Sequence, residues 1–275
     1  MKPLDIHTIN AYQSKAQAAK QGFYTNYIAP FGANKSTHKE CDDKIYGIEL
    51  SDGYVFLKDF ENFSKLYFLT PHLCDLKAAL DKLDRENICL EIIQRGALAK
   101  ELQEVLCAYF APHSLYEKLT ISTKNLKLKL KNHPYTPQHA QLTDLDYLCQ
   151  SLKSNFDARF DHLPSPSELT HYITNQQVLI QRDTNGEIIA YCIYQIDGKT
   201  SHFNYLLNLK ADPFCLIALM ESYYAELKHK GIQHIYLWVD IRNNLRVKNM
   251  HTRYGYQSSH IFNHTFTHIN TKEIS

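Results

Sequence analysis

Apolar positions along the chain recur in two rhythms, and their order predicts the elements. Ile45–Leu50, Tyr54–Leu57 and Lys65–Leu69 read as strands, with Ser51-Asp52-Gly53 as a hairpin turn. Leu73, Leu76, Leu80 and Leu83 form one stripe, which predicts a helix over 71–83. Ile88–Ile93 predicts a buried strand, residues 97–109 a helix, and Leu115–Thr123 a further strand. The order is βββαβαβ. Upstream, residues 6–21 predict a weakly amphipathic helix and 29–44 a polar loop.

Near residue 123 the order restarts. Leu126–His133 predicts a strand, because Leu and Lys alternate strictly there and give it one wet face. Residues 142–156 predict a helix with Thr143 as N-cap and Leu145, Leu148 and Leu152 inward. A second helix is expected over 166–175, with Ser165 as cap and Pro166 at its first position. Val178–Gln181 and Glu187–Ile196 flank a turn at Asp183-Thr184-Asn185-Gly186. A strand over 201–209 and a long helix over 215–229, ended by Gly231, follow. The order here is βααβββαβαβ. Two domains are expected, residues 1–122 and 123–275.

Residues 234–256 carry the most specific pattern. Ile235, Leu237 and Val239 alternate with Tyr236, Trp238 and Asp240, and both sets are mostly apolar, so the strand is buried on two faces. Asn243 and Asn244 are good N-cap residues for the amphipathic helix that follows, and Gly255 suits a left-handed exit. The pattern repeats upstream: Cys89–Arg95 lies over Tyr236–Arg242, Ala97–Ala108 over Asn244–Gly255, and Tyr109 over Tyr256. One domain-sized offset points to duplication, since solenoid repeats are shorter. The first copy has neither the Asn nor the Gly, and reads as a packing half.

This pattern resembles the end of an acetyl-CoA-dependent N-acetyltransferase domain of the GNAT superfamily. Asn244 fills the Asn position, Val247 the small-residue position and Gly255-Tyr256 the Gly-Phe, while His251 stands where the family usually has Tyr. The resemblance implies an α/β (α+β) fold with a mixed central sheet flanked by helices, in tandem with a partial N-terminal copy. It implies acetyl-CoA as co-substrate and a primary amine of a small molecule or peptide as acceptor. Its pantetheine arm would lie between two splayed parallel strands, held by main-chain groups at Leu209 and Ala211 and approached by Asn244, which could equally be a plain cap. His251 would protonate the departing thiolate, since a histidine of pKa about 6.5 is partly imidazolium at neutral pH. The base is less defined: His202, Asn204 and Tyr205 are candidates. Asp157, Arg159, Asp161 and His162 lie in the loop that borders the acceptor in relatives, and Asp157, Arg159, Asp161 and Asn204 are expected to bind substrate; a solvated loop is the alternative.

One departure is sharp. The family seats the cofactor's pyrophosphate on a glycine-rich turn at a helix N-terminus, where backbone N–H groups approach the anion. Here Asp212-Pro213 runs into Phe-Cys-Leu-Ile-Ala with no Gly and no Arg. The opposing reading is therefore a non-catalytic scaffold or ligand sensor that has lost this loop.

Composition narrows the classes further. Thirty basic and 29 acidic residues give a net charge of +1, which carries no nucleic-acid footprint. No apolar run approaches a membrane span. The seven cysteines form no Cys-x-x-Cys pair and read as small buried hydrophobes of a reducing, cytoplasmic compartment. His260, His264 and His268 are spaced too widely along a strand to share a metal, and no metal site is expected; they read as surface or interface residues.

Overall fold

The computed structural model describes residues 2, 3, 9, 11, 12, 14, 22–26, 45–127 and 134–269. The loop expected over 29–44 and most of the helix over 6–21 and of the strand over 126–133 lie outside them. The chain divides into two compact units: Met1–Leu115 with Ile261–Ser275, and Tyr116–His260.

In the first unit the described strands are β1 (Lys2–Pro3), β2 (Tyr24–Thr25), β3 (Ile45–Leu50), β4 (Gly53–Asp59), β5 (Ser64–Thr70), β6 (Ile88–Arg95) and the start of β7 (Phe110–Ser122). Helix α1 (Leu73–Leu80) joins β5 to β6, and α2 (Lys100–Cys107) joins β6 to β7. The last strand of the chain, β13 (Gln257–His268), lends Ile261–Thr267 as the antiparallel neighbour of β6. The strand order is β1-β3-β4-β5-β6-β13, with β2 on β5. Gly53 is required at its turn, because a Cβ there would stand 1.9 Å from the Leu69 carbonyl oxygen. Val55, Leu57, Leu66 and Phe68 of the sheet pack with Leu76 and Leu80 of α1 and Leu102 and Leu106 of α2 into one core.

The second unit begins with Tyr116–Ser122 of β7. It continues through β8 (Gln138–His139), α3 (Leu145–Asn155), α4 (Pro166–Thr174), β9 (Val178–Arg182), β10 (Ile188–Asp197) and β11 (Thr200–Asn208). Helix α5 (Pro213–His229), β12 (His234–Asp240), α6 (Leu245–Tyr254) and the start of β13 complete it. The order is β7-β12-β11-β10-β9-β8. Alternation along the strands sorts the core into two faces. Cys192, Tyr194, Phe203, Ile235, Leu237 and Val239 pack with α5 and α6. Tyr191, Ile193 and Tyr205 pack with α3 and α4.

The element order is the expected one from β3 to β7 and again from α3 onwards, while β8 was not expected, and the units do not follow the chain as two blocks. Tyr116–Ser122 pairs with β12, from Tyr116↔Asp240 to Ser122↔His234, and the end of β13 pairs with β6. An apolar pattern gives a strand its faces and not its neighbour, so a boundary at 122/123 could be read from order alone. Among the described residues no helix is long and apolar enough to cross a membrane. None hold a His/Cys/Asp/Glu group fit for a metal. Of the β13 histidines His260 is exposed, as expected, whereas His264 and His268 are half-buried, His268 against Phe110. Cys74 and Cys107 are exposed, whereas Cys89, Cys192 and Cys215 are buried.

Candidate active site

The site lies in the second unit, where β11 and β12 part. These strands run parallel and pair at Thr200↔His234, Ser201↔Ile235 and His202↔Tyr236, and nowhere further along. On its other edge β11 stays paired with β10 as far as Asn208. The register there skips Asn204, since Ile193 faces Tyr205 and Tyr194 faces Phe203. Such a bulge leaves one residue outside the ladder and bends the strand. It also sends Phe203 to the α5/α6 face and Tyr205 to the α3/α4 face.

Beyond the bulge, the direction of each backbone group follows from alternation. Leu209 donates its N–H to the Ile189 carbonyl at 2.9 Å, so it points to the β10 side. Leu206 and Asn208 therefore turn their N–H and C=O groups towards the gap. Leu209, expected with Ala211 to hold the cofactor, thus turns its N–H away from the gap. Leu209 lies past the strand end, and Ala211 sits in the turn at φ +54°. The side-chain Oδ1 atoms of Asn204 and Asn208 are buried and accept no hydrogen bond.

The loop between α3 and α4 covers the same end of the sheet. Tyr205 donates its hydroxyl to the carbonyls of Asp161 and His162, at 2.9 and 2.7 Å. Tyr116 on β7, opposite Asp240, donates to Asp161 Oδ1 at 3.0 Å, and the Asp157 N–H donates to Oδ2 at 2.7 Å. Asp161 is thereby held over the end at which β11 and β12 part. Burial outweighs these hydrogen bonds and raises its pKa above the ordinary carboxyl value. Asp157 and Arg159 form a bidentate pair with each other, the shortest contact 2.7 Å. Their charges brace the loop, which makes them less available to a substrate than expected.

On the same face His202 stacks on Tyr236 at 4.3 Å, and Lys118 Nζ lies 4.0 Å from the centre of the Tyr236 ring. Burial, then Lys118 and His162, push His202 down to about 4. Burial also lowers Lys118. Lys118 and Tyr116 escaped the sequence reading, because they lie on β7, ahead of the expected domain start. The alternating pattern of 115–123 marked them as strand residues and could not name their neighbour.

His251 is 3% exposed and packs edge-on against Phe203 and Tyr256, at 6.0 and 5.3 Å. Burial pushes it down to about 4. At neutral pH it is an uncharged imidazole, so the acid role expected of it lacks its proton. Its buried Nδ1 takes no hydrogen bond. Asn244 holds the N-cap position of α6 but makes no side-chain cap bond. Asp240 organises this turn instead: its Oδ1 accepts from the N–H groups of Arg242 and Asn243, at 3.0 and 3.1 Å. Gly255 closes α6 at φ +104°, as expected, and a Cβ there would press on the Asn125 carbonyl oxygen at 3.0 Å.

An acyl-CoA fits this site in part. A pantetheine arm matches the free edge of β11, which offers backbone donors and acceptors in a sheet-like row. The pyrophosphate does not match the start of α5. There Asp212 is the N-cap, with its carboxylate accepting the Phe214 N–H at 2.8 Å and the Tyr135 hydroxyl.

This fold is that of the GNAT N-acetyltransferases. A GCN5-related N-acetyltransferase from Sphaerobacter thermophilus is similar at a TM-score of 0.58 with 11% identity, over 78% of this chain and 75% of that one. A tandem GNAT protein from the clavulanic acid biosynthesis pathway is similar at 0.56 with 10% identity, over 97% of both chains. A GNAT-family acetyltransferase from Colwellia psychrerythraea is similar at 0.53 with 12% identity, over 98% of this chain and 99% of that one. No family model and no curated protein matches the sequence.

Proposed function

We propose that the second unit is an N-acetyltransferase, moving an acetyl group from a CoA-type thioester to a primary amine of a small molecule or peptide. The observation that carries this reading is the free edge of β11 beyond His202, with the Asp161 carboxyl held over the same end. The pantetheine amides pair with the backbone of Leu206 and Asn208. The amine attacks the thioester carbonyl directly: a C–N bond forms, the C–S bond breaks, and the amine proton passes to Asp161. Water returns a proton to the departing thiolate. The backbone N–H of Asn204, outside the β10 ladder, faces the developing oxyanion. Positioning and this donor supply most of the rate. Lys118, beside Tyr236, suits an acceptor that also carries an acid group.

The raised pKa of Asp161 suits a base, because a carboxyl closer to neutrality binds a proton more readily in the transition state. Thiol release from acetyl-CoA with a panel of primary amines tests this reading. Wild type should release thiol in proportion to amine, and Asp161→Asn should abolish the acidic limb of the kcat/KM profile. Release that no amine stimulates, with no binding of any thioester, would sink it.

A further inference from the structure

We infer that the acyl donor is recognised by its pantetheine arm alone, so that the substrate class is S-acyl-pantetheine thioesters, with no diphosphate seat at the start of α5. The inference rests on the acyl-transfer reading above and narrows its donor.

A helix N-terminus attracts an anion through free N–H groups and the partial positive charge of the helix dipole. Each is already used at α5. Pro213 has no N–H to offer. The Phe214 N–H is donated to Asp212 Oδ1 at 2.8 Å, and that of Cys215 also goes to the Asp212 carboxylate. The Leu216 N–H goes to the Asp212 carbonyl at 3.3 Å. Tyr135 donates its hydroxyl to Asp212 Oδ2. The Asn208 side chain, at the end of the free edge, donates to the Asp212 carbonyl at 2.8 Å. These bonds to the carboxylate, the Tyr135 hydroxyl foremost, hold it below its ordinary pKa, so it carries a full negative charge at neutral pH.

The surroundings agree with that charge. Across Leu209–Met220 the only cation is Lys210, and no glycine lets a phosphate approach the backbone. Phe214 and Leu209 stand 46% and 41% exposed on either side of Asp212. A diphosphate placed here would meet a carboxylate, with the first N–H groups of the helix already committed. A pantetheine arm needs none of these groups, since the free edge of β11 ends at Asn208, before the turn.

Calorimetry on the full-length chain, with acetyl-CoA and S-acetylpantetheine as probes, tests this. The two should bind with dissociation constants within about threefold of each other. The acetyl-CoA value should barely change between roughly 50 and 300 mM salt, since no ion pair holds the diphosphate. Asp212→Asn, which keeps an amide cap and removes the charge, should tighten acetyl-CoA by about two- to fivefold and leave S-acetylpantetheine unchanged. A wild-type preference for acetyl-CoA above about tenfold, lost with salt, would overturn the inference and leave the acyl-transfer reading standing. That comparison needs no variant. If neither thioester binds, the acyl-transfer reading fails and this inference with it.

Discussion

In the first unit β5 and β6 pair in parallel at Ser64↔Ile88 and Lys65↔Cys89 and then part; in the second, β11 and β12 part after His202↔Tyr236. What fills the two gaps differs. The freed edge of β5 is covered by the chain itself. Tyr24 and Thr25 pair with Thr70 and Leu69, and the Thr25 hydroxyl donates to the Phe68 carbonyl at 2.9 Å. Asn26 donates to the Leu66 carbonyl at 2.7 Å and accepts the Phe68 N–H at 2.8 Å, as a strand would. A buried Lys65–Glu91 pair at 2.8 Å, with Asn263 donating to Glu91 at 3.1 Å, closes the base of the gap. Among the described residues no strand pairs with β11 beyond His202 on the β12 side. The same fold therefore carries one gap that its own chain satisfies and one that leaves backbone groups for a ligand. An unpaired strand edge must be covered or used.

Four substitutions bear on this contrast, from the largest effect to the smallest. Asp161→Asn should lower kcat by about 10²- to 10⁴-fold, the usual worth of a positioned base, and leave thioester affinity unchanged. Equal loss in thioester binding would make Asp161 a loop brace. Asn26→Ala strips two buried backbone groups of their partner and should cost roughly 2 to 4 kcal/mol in urea unfolding, with kcat unaltered. If turnover falls in step with stability, the two gaps are not functionally separate.

His251→Phe tests the buried imidazole through pH. The folded value, about 4, lies below the ordinary 6.5. The neutral form is favoured on folding, so its stabilisation is fully present above pH 6.5 and is lost as pH falls towards 4. The loss amounts to about 3 kcal/mol. Wild type should lose melting temperature steeply over that window, and His251→Phe should flatten the decline, leaving the part due to His202. Asn244→Ala should change stability by less than about 0.5 kcal/mol, because its side chain caps nothing. A loss near the 1 kcal/mol of a true cap would show that the bond forms in solution.

Much of this was readable from residue order. The β-β-β-α-β-α-β succession and the Gly255 exit follow from periodicity and turn chemistry, which are local; β12 fully buries one face only, Ile235, Leu237 and Val239, and leaves Tyr236 and Trp238 half-buried on the other. Strand partnership is not local, so the pairing of β7 with β12 could not be read, and Tyr116 and Lys118 stayed hidden with it. The facing of Leu206 and Asn208, instead of Leu209, depends on where the strand ends and which edge β10 takes. His251 carried a chemistry-bearing side chain in a helix pattern, and only its packing against Phe203 and Tyr256 shows that burial removes its charge. Asp212 was visible as a residue without glycines around it. That its carboxylate holds the first N–H groups of α5 is a matter of geometry.

The contrast between the two gaps is tested most directly by hydrogen–deuterium exchange with and without saturating S-acetylpantetheine. Peptides covering 203–209 should become protected, because the thioester arm takes the N–H groups of Leu206 and Asn208, while peptides covering 64–70 should exchange as before. Protection over 64–70, or none over 203–209 with the ligand bound, would contradict the assignment of the free β11 edge as the donor site.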